Sequence, residues 1–264
     1  MSASGCFMLT TAERVFFELN GFVLLKGVLA PDECAWIADL AARMRRDSPY
    51  PRYDSEAQTV LFGPAWYDRR MLALSMEPRL RARAEAIVGG ASRLEENQFL
   101  IFSPQPADLD DQAEAIDRRR WHRGLTPDYG SFEHAGRYHC LFTKVILYLS
   151  PRGVSTGTWV VPGSHKLQIG IGDFEQVVDE SMTHYVDGEA GDALLFGETL
   201  IHSSPPPSYT RERLLLVIAY SAPFMKTWSR DTDPPPSLCD TLTDDERRFV
   251  FGDDRYAFRD AFRC

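Results

Sequence analysis

Long hydrophobic runs are missing from this 264-residue chain. No segment approaches about eighteen uninterrupted apolar residues, so nothing is expected to span a membrane. The opening stretch MSASGCFMLTTAERVFFELNG lacks a basic cluster followed by an apolar run, the pattern of a secretory leader. Cysteine is scarce and unpaired: Cys6, Cys34, Cys140, Cys239 and Cys264 are odd in number, scattered, and form no CxxC. That argues against a thiolate zinc site or a disulfide frame, and fits free thiols in a reducing cytoplasm. An excess of positive charge is absent too. The 29 Lys and Arg against 38 Asp and Glu leave a net charge of −9, which speaks against broad binding to a nucleic-acid polymer or an acidic membrane surface. A small anionic substrate stays compatible, because a local arginine cluster can hold one on an acidic protein.

What is present is ordinary globular material, 44% hydrophobic and 25% charged, in a chain long enough to bury a core. Residues 11–20 read as a short helix stopped by Gly21, and 21–29 as a Val/Leu-rich strand. Residues 30–47 form a second helix, with Pro31 and Asp32 at its start and Trp36, Ile37, Leu40 and Met44 along one stripe. Residues 64–88 also read as helical. The texture then changes to short β-type runs, SRLEENQFLIFSP, HCLFTKVILYLS, GTWVVPGS, DALLFGETLIH and RERLLLVIAYSAP, separated by Gly, Pro, Ser and Asp. Helices first and strands later predict an α+β protein whose second part is a β-sandwich or barrel. A single domain over 1–264 is expected, with a helical part at about 11–88, a core at about 90–224 and a tail at 225–264. Residues 105–120 and 230–237 read as surface loops. The tail carries Phe249, Phe251, Tyr256, Phe258 and Phe262, available to pack on the body or to close over a pocket.

Six histidines are the candidates for metal or acid–base chemistry. His165, in VVPGSHK, reads as a surface turn residue, and His184 precedes a strand with nothing polar nearby. His134 and His139 flank AGRY, at a distance from any other signal. His202 closes a β-run and is followed by a turn and a strand bearing Arg211 and Arg213, which share parity and so face one way. That puts an imidazole and a guanidinium in one barrel mouth, and the planar fork of arginine suits a carboxylate. Two solvated arginines on an edge are the bland alternative.

Three segments, FELNGFVLLKGVLAPDECAWI, LYLSPRGVSTGTWVVPGSHK and GEAGDALLFGETLIHSSPPPSYTRERLLLVIAY, resemble in order and wording the phytanoyl-CoA dioxygenase family of iron(II)/2-oxoglutarate-dependent oxygenases, over roughly residues 13–224. The resemblance implies a double-stranded β-helix (a cupin-like jelly roll) flanked by N-terminal helices, with Fe(II), 2-oxoglutarate and O2 as cofactors. It implies that His122, in WHRG, and His202 are iron ligands. Arg213 matches the arginine for the distal carboxylate of 2-oxoglutarate, with Arg211 the competitor, and Ser204 a hydroxyl assisting it. Gln98 and Thr143 are further candidates for contact with the co-substrate.

The departure is Gly124, at the place where ordinary hydroxylases of the family carry aspartate. Two histidines and one carboxylate form the usual facial triad. Losing the carboxylate opens a position and removes a negative charge, and a chloride ion restores both. Gly or Ala at this place is the pattern of the iron/2-oxoglutarate halogenases. The expectation is therefore a halogenase that chlorinates an unactivated C–H bond of a free small molecule in antibiotic-type secondary metabolism. A nucleotide such as a deoxyadenosine phosphate is the most specific substrate named. Arg118, Arg119 and Arg120, with Arg137 and Lys144, would suit a phosphate or carboxylate, and Trp121, Tyr129, Phe132 or Tyr138 would offer a stacking face; a solvated charge run is the alternative. Arg123 and Thr126 are candidate halide neighbours. Two other readings stay open: a hydroxylase recruiting another carboxylate, with Asp128 and Glu133 nearby in sequence, and a metal-free pseudoenzyme used as a binding module.

Overall fold

The structure, a computed structural model, describes residues 8–104, 121–150, 157–203, 212–227 and 233–252. The first helix, Thr11–Asn20, begins where Thr10 and Glu13 cap each other and stops at Gly21, whose φ of +83° only glycine adopts without strain. Strand β1 (Phe22–Leu25) follows, and then the helix Pro31–Asp47, which buries Ile37, Leu40, Ala41 and Met44 along the expected stripe. Strands β2 (Arg52–Asp54) and β3 (Gln58–Phe62) were not legible in the sequence; they are short, and β2 is exposed on both faces, so neither alternates. Three short helices, Pro64–Tyr67, Arg69–Met76 and Pro78–Val88, fill the stretch expected to be helical.

The remaining strands are β4 (Arg93–Phe102), β5 (Ser131–His134), β6 (Arg137–Cys140), β7 (Phe142–Tyr148), β8 (Thr158–Val160), β9 (His184–Val186), β10 (Ala193–Gly197), β11 (His202–Ser203) and β12 (Arg213–Ser221). Among the described residues they form an antiparallel seven-stranded sheet in the order β1-β10-β7-β12-β4-β3-β2, a three-stranded sheet β11-β8-β9, and the β5-β6 hairpin. The two larger sheets make a jelly roll with helices on the outer face of the large one. DALLFGETLIH, which reads as one strand, is in fact two, broken at Glu198–Ile201 as the chain crosses from the large sheet to the small one.

Strand parity sorts the side chains. On β7, Val145 and Leu147 join the core under the helices, with Ile37, Leu40 and Ile87, while Ile146 and Tyr148 face the barrel interior. On β12, Leu216 and Ile218 face the helices, and Leu215 and Val217 face inward. The C-terminal helix Asp244–Phe251 buries Phe249 against Tyr220, so this aromatic packs on the body, whereas Phe251 is part-exposed; Tyr256, Phe258 and Phe262 lie outside the described residues. Among the described residues no helix is long and apolar enough to cross a membrane.

Candidate functional site

One cavity of about 600 Å³ runs inside the jelly roll, and its lining follows from the strand register. Arg213 of β12 faces Phe102 of β4; the next inward rungs are Leu215–Leu100, Val217–Gln98 and Ala219–Glu96. On the other side of β12, Val217 pairs with Ile146 and Ala219 with Lys144 of β7. At about 3.3 Å per residue, six residues separate the Arg213 rung from the Glu96–Lys144 rung by about 20 Å. The first is the cationic end. The second is crowded with carboxylates.

Arg213 is 1% exposed; its Nη2 donates to Gly157 O at 2.6 Å and its guanidinium lies 4.8 Å from the Phe102 ring centre. It shares the cavity with Thr158, Gln98 and both candidate ligand histidines. Its competitor Arg211 lies outside the described residues, as do Ser204 and Arg118–Arg120. Ser203, the neighbour of Ser204, lines the cavity.

His122 and His202 come together by backbone pairing. His122 N donates to His202 O at 3.0 Å, and His202 N donates to His122 O at 2.9 Å. Directly opposed residues of an antiparallel bridge project to one side, and the two imidazole centres lie 4.2 Å apart. His202 packs on Phe196, and its Nδ1 lies 2.9 Å from Leu200 O. A carbonyl only accepts, so Nδ1 carries the proton and Nε2 keeps its lone pair. Burial and the neighbouring His122 push His202 down to about 3, so it is a neutral imidazole, the form a metal ligand requires. Two adjacent imidazoles, one with its tautomer fixed, are a donor set that fits iron. Among the described residues no group of three His, Cys, Asp or Glu side chains converges to hold a metal.

Glu198 was not singled out from the sequence, although parity offered a signal: Phe196 faces inward, and Glu198 is two residues on. Its backbone carbonyl accepts from Gly124 N (2.9 Å) and Leu125 N (3.1 Å), which locks the His122 segment against the turn after β10. Its carboxylate fills the space over Gly124. A Cβ built there would overlap Glu198 Oε2 and lie 3.3 Å from that residue's Cβ and Cδ. The room expected beside Gly124 is thus occupied on the near side by a carboxylate. Lys144 Nζ sits 3.0 Å from Glu198 Oε1 and 3.2 Å from Glu96 Oε2. Burial works against charge on Glu198, but the Lys144 ammonium outweighs it and holds the pKa below the usual value. Burial pushes Glu96 up, with Lys144 opposing. For Lys144 burial acts downward, and the two carboxylates more than reverse it. Asp128 and Glu133, the carboxylates near His122 in sequence, do not line the cavity.

Gln98 and Arg123 line the cavity. The Arg123 guanidinium is spent on the carbonyls of Leu167 and Ile169. Other sequence candidates are displaced, each for a physical reason. Thr143 falls on the helix side of β7, where its hydroxyl donates to Cys140 O. Thr126 is at the start of the short helix Pro127–Gly130 and donates to Asp128. Tyr129 is 65% exposed, and Phe132 stacks on His139 beside the Pro78–Val88 helix. Tyr138 is buried away from the cavity, its hydroxyl donating to His165 O. His165 is no surface residue: it is fully buried, packed edge-on against Tyr138 and against Gly21.

Solved structures share this architecture. The chain aligns with HygX from Streptomyces hygroscopicus, solved with nickel and 2-oxoglutarate, at 21% identity and a TM-score of 0.63, covering 84% of this chain and 90% of that one. The non-haem α-ketoglutarate-dependent epimerase SnoN from nogalamycin biosynthesis aligns at 22% identity and 0.63, covering 85% and 89%. The carbocyclase SnoK from the same biosynthesis aligns at 14% and 0.61, covering 83% and 86%. No curated protein sequence matches the chain. Residues 17–211, the greater part of the chain, match the phytanoyl-CoA dioxygenase (PhyH) family, and the protein therefore belongs to that family of non-haem iron/2-oxoglutarate-dependent oxygenases.

Proposed function

We propose that this enzyme is an iron(II)/2-oxoglutarate-dependent halogenase acting on a free small molecule of secondary metabolism. The observation that carries the reading is the pair of imidazoles, His122 and His202, on one side of a backbone bridge, with glycine two residues after His122. Residue 124 contributes no donor to the side on which His122 projects. Iron held by the two imidazoles would, with 2-oxoglutarate and O2, supply an oxidant able to take a hydrogen atom from an aliphatic C–H bond.

The chain's own groups do the rest. Arg213, buried in the cavity that both imidazoles line, holds the distal carboxylate of 2-oxoglutarate in a fork already oriented by Gly157 O. Leu100, Ile146, Leu215 and Val217 keep water from the length of the cavity between its two ends. Leu200 O fixes the His202 ring. Gly124 leaves chloride the coordination position that a side-chain carboxylate would otherwise take. Phe142, Met225 and Lys226 line the substrate side, where a small molecule would be set with its target carbon closer to the halide than to the site of O2. Antibiotic-pathway relatives of the same architecture, including HygX with hygromycin B bound, favour a compound of that kind.

A second reading has a specific observation behind it: the Glu198 carboxylate lies over Gly124, so Glu198 in place of aspartate would complete a facial triad and make the enzyme a hydroxylase. The two readings divide on products. Purified enzyme with Fe(II), 2-oxoglutarate, excess chloride and candidate substrates gives a product heavier by chlorine, with its isotope doublet, under the first. A product heavier by one oxygen alone, at high chloride, sinks it in favour of the second.

A further inference from the structure

The space beside Gly124 raises a question that holds whichever substrate is used: what keeps a buried carboxylate next to two metal-ligand imidazoles from binding the metal itself? Gly124 is not required by its backbone, which has none of the positive φ seen at Gly21, Gly63 or Gly89. Its neighbour bears on it instead. A side chain at 124 would meet Glu198 Oε2 and displace that carboxylate, while the hydrogen bonds from Gly124 N and Leu125 N to Glu198 O hold the two backbones together. Glu198, Gly124, His122 and His202 line one cavity, so the Glu198 carboxylate lies in the same site as the two imidazoles.

The other contact of that carboxylate is Lys144. The ammonium reaches Glu198 from β7, on a stem that shares its face with Ile146, and is steadied by Glu96, which in turn accepts from Gln98 Nε2. Glu198 is 2% exposed, so its charge has no water to turn to and must be met by a cation. Two cations can meet it, the Lys144 ammonium or a metal ion on the imidazoles. We propose that Lys144 is a positioning residue that tethers Glu198 away from the metal, and so decides that the third anionic ligand comes from solution rather than from the chain. This rests on the halogenase reading and assigns to a lysine the selectivity that Gly124 alone does not explain. Lys144 Nζ meets Glu198 Oε1 and so competes with the metal for that carboxylate.

The test uses Co(II), whose visible absorption reports the number and kind of its ligands, in the full-length protein without O2 turnover. In the native enzyme, titrated chloride should change the Co(II) spectrum and saturate. In Lys144→Met, which keeps the aliphatic stem and removes the charge, Glu198 should swing to the metal. Co(II) should then bind at least ten-fold more tightly, and chloride should act at ten-fold higher concentration or not at all. Lys144→Arg should behave as native, and the double variant K144M/E198Q should recover the chloride response. A K144M protein that titrates with chloride like the native one overturns the tether while leaving the halogenase reading intact. So does a double variant as unresponsive as K144M, since the loss would then be damage to the fold. A native enzyme blind to chloride, whose E198Q variant loses Co(II) affinity, overturns both, because Glu198 would already be a ligand.

Discussion

The two ends of the cavity are held by different means. At the Arg213 end every lining side chain stands on a regular strand, one cation serves one purpose, and the walls are apolar: Leu100, Ile146, Leu215 and Val217. At the histidine end Glu198 and His122 sit off the regular strands, on the turn after β10 and on the segment before the Pro127–Gly130 helix, while Lys144 and Glu96 reach in from β7 and β4, and two carboxylates share one lysine. Strand-borne groups are fixed by the sheet. Turn-borne groups are fixed by each other, so a change at one is felt at the next. This suits the two tasks, because the co-substrate is the same at every turnover, while the choice among anions at the metal is where an enzyme of this family can differ from its relatives.

The largest effect should come from the histidine end. Replacing His202 by Ala removes a ligand and also cuts the packing on Phe196; iron affinity should fall by at least 100-fold and turnover below detection, measured by metal content after gel filtration and by succinate release. Normal iron occupancy in that variant would remove His202 from the metal site. Next is Gly124→Asp, which sets a second carboxylate against Glu198. Chlorination should be lost, with little hydroxylation gained, because like charges are forced together. Pairing it with Glu198→Ala clears the space, and the double variant should gain hydroxylation at least ten-fold over G124D. Unchanged chlorination in G124D would show that residue 124 does not border the metal.

At the other end, Arg213→Leu should raise the KM for 2-oxoglutarate about 100-fold, the value of a lost charge-assisted pair of hydrogen bonds at about 3 kcal/mol. Arg211→Leu, its control, should change KM less than three-fold. If the two results are exchanged, the cationic end belongs to Arg211. Because Arg213 is strand-borne, the spectrum of bound Co(II) without 2-oxoglutarate should be the same in R213L as in the native protein, whereas His202→Ala, Gly124→Asp and Lys144→Met should each alter it. That contrast is the sharpest form of the difference between the two ends.

The same difference explains what the sequence disclosed. Arg213 and Gln98 were named through the resemblance, since parity alone leaves Arg211 equal to Arg213; both stand on strands whose alternation turns them into the cavity. His122 and His202 were readable through the resemblance of their segments. Glu198 was overlooked although continuing β10 by parity would have turned it inward; what the sequence could not show is that the crossover between sheets sets its carboxylate against Gly124. Thr143 failed by one residue of parity, since its neighbour Lys144 holds the inward position. The aromatic candidates Tyr129, Phe132 and Tyr138 are near His122 in sequence but do not line the cavity: Tyr129 is exposed on the short helix Pro127–Gly130, and the β5-β6 hairpin carries Phe132 and Tyr138 to the helix side.

His165 lies at neither end and provides a stability reference. Burial, then Lys166, pushes its imidazole from an ordinary value near 6.5 down to about 4. The folded state keeps it neutral where the unfolded chain protonates it. Stability is therefore fully present above pH 6.5 and declines as pH falls toward 4. The loss should be on the order of a few kcal/mol at most, a drop in Tm of several degrees between pH 7.5 and 5. His165→Phe should flatten that slope; the same slope in the variant would assign it to other groups.

The smallest effects test the corrections. Tyr129 is exposed and Phe132 stacks on His139, so neither reaches the cavity. Tyr129→Ala and Phe132→Ala should each leave kcat and both KM values within two-fold, as expected for surface groups outside a site. Phe142→Ala, by contrast, removes a cavity-lining ring next to Lys144. It should raise the KM for the organic substrate several-fold while the KM for 2-oxoglutarate stays fixed. If Tyr129→Ala raises the substrate KM as much as Phe142→Ala does, the substrate enters over the β5-β6 hairpin rather than past Phe142, and the histidine end extends farther than the cavity drawn by the strands.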